Sequence, residues 1–248
     1  MTNPCIEKYL ELYPEKKVEK STARFEHVEL NLSPLDRETI DSVRYYSIPN
    51  GNEKPTKMVS ITSITSHFNR QIFIDWRRKV GDVKADAITK AATTRGTNLH
   101  SIVENYITNQ ELPEVPEPAP TLFKTIEPAL QRMNKIYGVE TALYSTVLGV
   151  AGTCDTIAEF DEELAIIDYK TSAKPKPREW IENYFVQAMF YGMALFERTG
   201  LQVKKLVIIM ACENGELVVY EERDLEKYMK LVIKYIKKFT NDKLQEYS

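Results

Sequence analysis

Hydrophobic positions recur along this chain with two periods, one near two residues and one near 3.6, and the switches between them mark its elements. Residues 25–32 alternate as a strand, and residues 43–48 give a second. Pro49-Asn50-Gly51-Asn52 reads as a turn before a third strand over 57–61. Ile64, Phe68, Ile72 and Trp76 lie four apart, which predicts a helix over 63–80 that Gly81 ends. Val83, Ala87, Ala91, Leu99, Ile102 and Tyr106 keep the helical period over 83–108. Residues 109–121 carry four prolines among acids and predict an extended loop, after which 122–137 reads as a helix. Two consecutive strands follow, 144–160 and 164–170. A helix over 178–199, a hairpin of 205–212 with 216–220, and an amphipathic helix over 225–239 complete the chain. Lysines crowd the last turns of that helix, where the helix dipole favours them. Strands mixed with helices predict an α/β class, and no internal repeat is visible.

The pair of strands at 144–170 carries the chemistry. If Asp161-Glu162 is a two-residue turn, Asp155 falls opposite Asp168, and Asp168 and Lys170 point to one face of the sheet. Facing residues have Cβ atoms about 4.5–5.5 Å apart, so two carboxylates there repel unless a cation lies between them. The plainer reading is a hairpin whose strand ends are solvated charges. Leu164-Ala-Ile-Ile167 looks buried, however, which puts Asp168 and Lys170 at a mouth in the sheet rather than on an ordinary wet face.

Asp155, then Asp168-Tyr169-Lys170-Thr171-Ser172, then Gln187-Ala-Met-Phe-Tyr191, resembles the PD-(D/E)xK nucleases, in particular their RecB-like exonuclease branch. Arg95-Gly96-Thr97-Asn98-Leu99-His100 looks like that branch's helical Gly-x-x-x-His element. Met58-Val-Ser60-Ile-Thr62-Ser-Ile64 and Trp76-Arg77 resemble the entry segment of a subgroup of mitochondrial and phage exonucleases. Cys154 stands where the family's proline precedes the first Asp. The resemblance implies a restriction-endonuclease-like core, a central mixed sheet flanked by helices, with an added N-terminal helical and strand region. It divides the chain into an extension at 1–57 and a nuclease domain at 58–248, with a helical roof over 63–137 and a catalytic core over 138–248.

The activity it implies is Mg²⁺- or Mn²⁺-dependent hydrolysis of DNA phosphodiesters, favouring single-stranded ends, in replication, recombination or repair and in company with proteins of those processes. Asp155, Asp168, the carbonyl of Tyr169 and His100 would hold the metal. Lys170 would orient the attacking water, and Gln187 and Tyr191 would fix the scissile phosphate. Ser60, Thr62, Ser63, Thr65 and Arg95 would line the path of the strand. A surface histidine at a helix break is the plainer account of His100. A Gly inside a helix costs about 0.5–1 kcal/mol, so Gly96 suggests a close approach to the backbone there. Glu104 is placed either to orient the imidazole or to face solvent, and Glu140 matches a position where relatives carry an acid, ranked behind the ligands themselves. Phe68, Trp76 and Tyr106 are candidates for stacking on bases, with core packing the plainer use of Phe68 and Trp76. A DNA-gripping module without activity and a structure-selective endonuclease remain the rival readings.

Composition changes this picture in three places. The net charge of −3 is unlike the basic footprint of most nucleic-acid enzymes, although Arg77-Arg78-Lys79, Lys174/Lys176/Arg178, Lys204-Lys205 and Lys234/Lys237/Lys238 cluster. Three scattered cysteines, Cys5, Cys154 and Cys212, can build neither a disulfide framework nor the iron–sulfur cluster of some RecB-like relatives. No apolar run reaches the ~20 residues of a membrane span, and the first residues lack a targeting pattern, so a cytoplasmic location is expected without membrane partners.

Overall fold

The computed structural model describes residues 24–51 and 53–246. Among them run strands β1 (Glu26–His27), β2 (Asp36–Ile40), β3 (Val43–Asn50) and β4 (Glu53–Ser60), then helices α1 (Ile61–Val80), α2 (Asp82–Ile107) and α3 (Ala119–Leu130). Strands β5 (Met133–Ser145), β6 (Val150–Phe160) and β7 (Glu163–Ser172) follow. A 3₁₀ turn at Arg178–Trp180 leads into α4 (Glu182–Thr199), and β8 (Lys205–Cys212), β9 (Leu217–Glu222) and α5 (Leu225–Glu246) close the chain. Cys5, and the first residues read for a targeting signal, lie outside the described residues. Among the described residues no helix is long and apolar enough to cross a membrane.

All nine strands form one mixed sheet in the order β2-β3-β4-β6-β7-β8-β9, with β5 on β6 and β1 on β5. Helices α2 and α3 bury Leu99, Ile102, Leu122 and Ile126 against one face, beside Ile167, Tyr169 and Val207. Helices α1, α4 and α5 cover the other, packing Ile64, Phe185 and Tyr228 against Cys154, Ile166 and Ile208. The chain is therefore α/β, a central mixed sheet flanked by helices, as expected. Two hairpin turns, Asp41-Ser42 and Asp161-Glu162, have positive φ at both residues, the twist that suits tight hairpins and that Asp tolerates.

Several element boundaries differ from the sequence reading. The strand over 25–32 shrinks to β1, which finds only Lys135 and Ile136 to pair with. Helix α3 stops at Leu130, and residues 133–145 pair along β6 instead of extending the helix. Residues 146–149 form a turn, so the strand expected over 144–160 is two strands. The stripe Ile64–Trp76 does not stay in the core, because Ile72 is 70% exposed where α1 runs beyond the sheet. Val83 is likewise exposed near the start of α2.

One detail of the sheet positions the site. One edge of β6 pairs with β5 along its length, while its other edge is shared. There β4 pairs only with Val150 and Ala151, and β7 only from Thr156 onward. Residues 152–155 thus lie in a gap between β4 and β7, and the last part of β7 goes on pairing with β8 alone.

Candidate metal centre

Asp155 stands at the end of the gap. The β6–β7 ladder runs in the expected register from Phe160↔Glu163 to Thr156↔Ile167, one step short of Asp155 and Asp168. Freed from the ladder, the Asp155 carboxylate accepts the Tyr169 backbone N–H at 3.0 Å. Across β5, Val139↔Thr156 and Thr141↔Cys154 flank Glu140, whose φ is +45°. A non-glycine residue there costs about 1–2 kcal/mol. Strain of this kind persists only where its surroundings hold it.

The imidazole of His100 arrives from α2. Its Nε2 lies 3.0 Å from the Tyr169 carbonyl oxygen. A carbonyl only accepts, so Nε2 carries the hydrogen and Nδ1 is turned toward acids. Nδ1 is 3.7 Å from Glu140 and 3.8 Å from Asp155. Burial alone would lower the His100 pKa, but Asp155 and then Glu140 outweigh it and hold it at about 9. His100, Glu140 and Asp155 each offer one ligand atom, and the three atoms lie within 4.8 Å of one another.

Asp168 and Lys170 share a face as expected. Asp168 is fully buried, and Lys170 Nζ donates to its Oδ1 at 2.6 Å. Burial raises the Asp168 pKa to about 6, against the pull of Lys170. Burial opposes the charge on Lys170, yet Asp168 and Asp155 still raise its pKa. Part of the cation expected between the carboxylates is thus supplied by the lysine itself. Asp168 Oδ2 is the one buried side-chain polar atom among the described residues with no hydrogen bond of good geometry, although the Lys170 ammonium also lies 2.6 Å from it. A carboxylate has about four lone-pair sites, so one ammonium astride both oxygens leaves room for an ion or water. With the oxygen-rich set His100, Glu140 and Asp155 alongside, these residues fit a hard divalent cation.

The remaining expected residues divide. Gln187 Nε2 donates to Tyr191 Oη at 3.1 Å, both buried on α4. Burial, then Asp155, push the Tyr191 pKa well up, so its hydroxyl stays protonated. The ring lies against Gly152, where a Cβ would stand 2.8 Å from Tyr191 Cε1. Tyr184, which the sequence reading does not single out, lies under the Lys170 ammonium, 5.1 Å from its ring centre. Its position one turn before Gln187 was the available signal. Arg95 is occupied, donating to Thr171 Oγ1 at 3.1 Å and pairing with Glu213, which docks α2 on the ends of β7 and β8. Ser60 is buried and caps α1 by accepting from Thr62 N, and Thr65 is buried and donates to the Thr62 carbonyl. Thr62 and Ser63 line a cleft on the outer side of α1.

The structure decides four further readings. Glu140, ranked behind the other acids, is a member of the cluster. Glu104 is exposed and distinct from the acids that face His100. No atom lies near a Cβ built on Gly96, so no close protein approach explains that glycine. Tyr106 is core, buried against Phe25 and Phe123, and Phe68 stacks on Tyr235 at 3.8 Å, so neither ring is free to stack on a base.

A family model described as PD-(D/E)XK nuclease superfamily matches residues 119–246, just over half the chain. Mitochondrial genome maintenance exonuclease 1 of Xenopus tropicalis is 24% identical over 196 residues, 73% of this chain and 56% of that protein. The protein of the same name from Homo sapiens is 26% identical over 204 residues, 72% of this chain and 58% of its own length. The chain spans less than two thirds of both relatives. A solved structure from Eubacterium rectale overlays 62% of this chain and 68% of its own, with 14% identity and a TM-score of 0.41.

Proposed function

Since the chain belongs to the PD-(D/E)XK nuclease superfamily, we propose that it is a divalent-metal-dependent exonuclease acting on ends of single-stranded DNA. The observation that carries this is the cluster His100–Glu140–Asp155 beside the buried carboxylate of Asp168 and the ammonium of Lys170. Two relatives named as exonucleases support the exonuclease part.

In this reading Asp155, Glu140, Asp168 and His100 Nδ1 hold Mg²⁺ or Mn²⁺, with the Tyr169 carbonyl fixing the imidazole tautomer. Such an ion, when bound, would lower the pKa of a coordinated water and offset charge building on the phosphate. Lys170, held over Tyr184, presents a positive charge to the oxygens that become more negative during attack. Tyr191, oriented by Gln187, donates its hydroxyl hydrogen toward the scissile phosphate. Residues 58–248 form the catalytic unit, and α2 and α3 roof the face to which α2 brings His100. DNA metabolism in replication, recombination or repair is the setting that such an activity serves.

A roofed site admits a flexible strand and excludes a duplex. Linear single-stranded DNA should therefore be shortened from an end with Mg²⁺ and left whole with chelator, while a covalently closed single-stranded circle of the same sequence persists. Rapid cutting of the circle would replace this reading with the endonuclease one. Tight binding of both without any cleavage would mark a DNA-gripping module.

A further inference from the structure

Away from the metal centre, a cleft of about 1040 Å³ opens between the outer face of α1, the β2–β3 turn and the end of α5. That volume is at the upper end of the ~300–1,000 Å³ that small-ligand sites occupy, ample for a length of chain. Arg44, Arg70 and Lys243 come to it from three different elements, and Ser42 and Ser66 add hydroxyls. Asp41, at the tip of the turn, is an acid among the lining residues. The Arg44 guanidinium has no ion-pair partner among the described residues. Phe73, 44% exposed, lines the cleft with a ring of its own.

The walls are tied in place. Arg44 N donates to Ser63 Oγ at 2.9 Å, which joins the hairpin to α1. His67 Nε2 lies 2.8 Å from Asp242 Oδ2, which joins α1 to α5 and engages that carboxylate, already bound by Lys238. A cleft braced on both sides exists before any ligand arrives, so little ordering cost attends binding. Its wall is also tied, through buried contacts, to the strand that carries Asp155. Thr62, in its wall, bonds to Ser60, and Ser60 pairs with Ala151, next to Gly152 beneath Tyr191.

We infer that this cleft is a second binding site for the same strand, gripping its phosphates through Arg44, Arg70 and Lys243 and offering Phe73 to a base. Cations spread over three elements suit a backbone that passes through, whereas a single phosphate asks them to converge. A basic groove with an exposed aromatic ring is the usual construction for holding single strands without sequence preference. The inference rests on the nuclease reading.

The test uses the full chain with chelator present, so that nothing is cleaved. Fluorescence anisotropy is measured with labelled single strands of roughly 4 and 16 nucleotides, the ends of the common range of single-strand site sizes. Arg44→Ala and Lys243→Ala should each weaken the longer strand about tenfold, the loss expected of one charge-assisted contact. The shorter strand should be held as by the parent protein. The slope of log affinity against log salt should flatten by about 0.7 per cation removed.

Equal losses for both lengths, or no loss for either, with melting temperatures unchanged, would overturn the inference while leaving the nuclease reading intact. Competition by a mononucleotide as effective as the longer strand would also overturn it, showing a small-ligand site. If the parent protein binds neither strand, the inference fails, while cleavage of the linear strand with Mg²⁺ decides the nuclease reading separately.

Discussion

Asp168 has no access to solvent and a single ammonium partner, which lies 2.6 Å from each of its oxygens. Replacing it with Asn removes the negative charge and strands Lys170 beside a neutral amide. Leaving one partner of a buried pair alone is costly, but Lys170 is partly open to solvent and also feels Asp155. A loss of about 1–3 kcal/mol follows. Thermal melting of Asp168→Asn without metal should fall by several degrees, and Mg²⁺-dependent cleavage should drop at least a hundredfold. A melting temperature at or above that of the parent would show that carboxylate repulsion outweighs the ion pair. Asp155, Asp168 and Lys170 were legible in the sequence because strand alternation and a two-residue turn fix their placement. Glu140 was legible only through the resemblance, because its reach depends on a backbone angle that nothing in the pattern announces.

At the scale of elements, two glycines make opposite demands. Gly152 sits where β6, α1 and α4 meet, and a Cβ there would lie 2.8 Å from Tyr191 and 3.0 Å from Ile61. Gly152→Ala should cost about 1–3 kcal/mol as the contact is forced apart, with a loss of cleavage because Tyr191 moves. Gly96 faces open space in a helix, so Gly96→Ala should stabilise by about 0.5–1 kcal/mol. Denaturant titration of both variants checks the pair of signs. A loss of cleavage in a more stable Gly96→Ala chain would mean that substrate, rather than protein, approaches that backbone. Long helices and tight hairpins were readable from period and turn chemistry. Strand β5 was not, because Met133 and Ile136 also fit a helical spacing and only their pairing with β6 decides the matter.

Over the whole molecule, much of the basic sequence is spent internally. Arg77 pairs with Asp82 and Asp86, Arg178 with Glu222, and Lys205, buried at the closed end of the β6–β7 hairpin, faces Asp161, Glu163 and Glu221. Runs of basic residues therefore overstated the cationic surface, since sequence does not reveal which acids fold back on them. The Arg132 hydrogen bond, against a smaller effect of burial, holds Asp161 below its ordinary 3.8. A carboxyl depressed on folding adds stability above its unfolded value and loses it as pH falls through the folded one. The contribution is screened because Asp161 is nearly half exposed. The gap in melting temperature between the parent and Asp161→Asn, which keeps the turn, should be small but present at pH 6 and close below pH 3.8. A gap that persists in stronger acid would assign it to something other than this charge.

The left-handed backbone of Glu140 sets two selective pressures against each other. Glycine adopts that φ without penalty, so Glu140→Gly should melt roughly 2–4 °C higher than Glu140→Gln, although both lack the carboxylate that faces His100. Directed evolution for heat resistance alone thus pushes this position toward glycine. A screen that scores only thermal survival will enrich chains that have discarded their cation site.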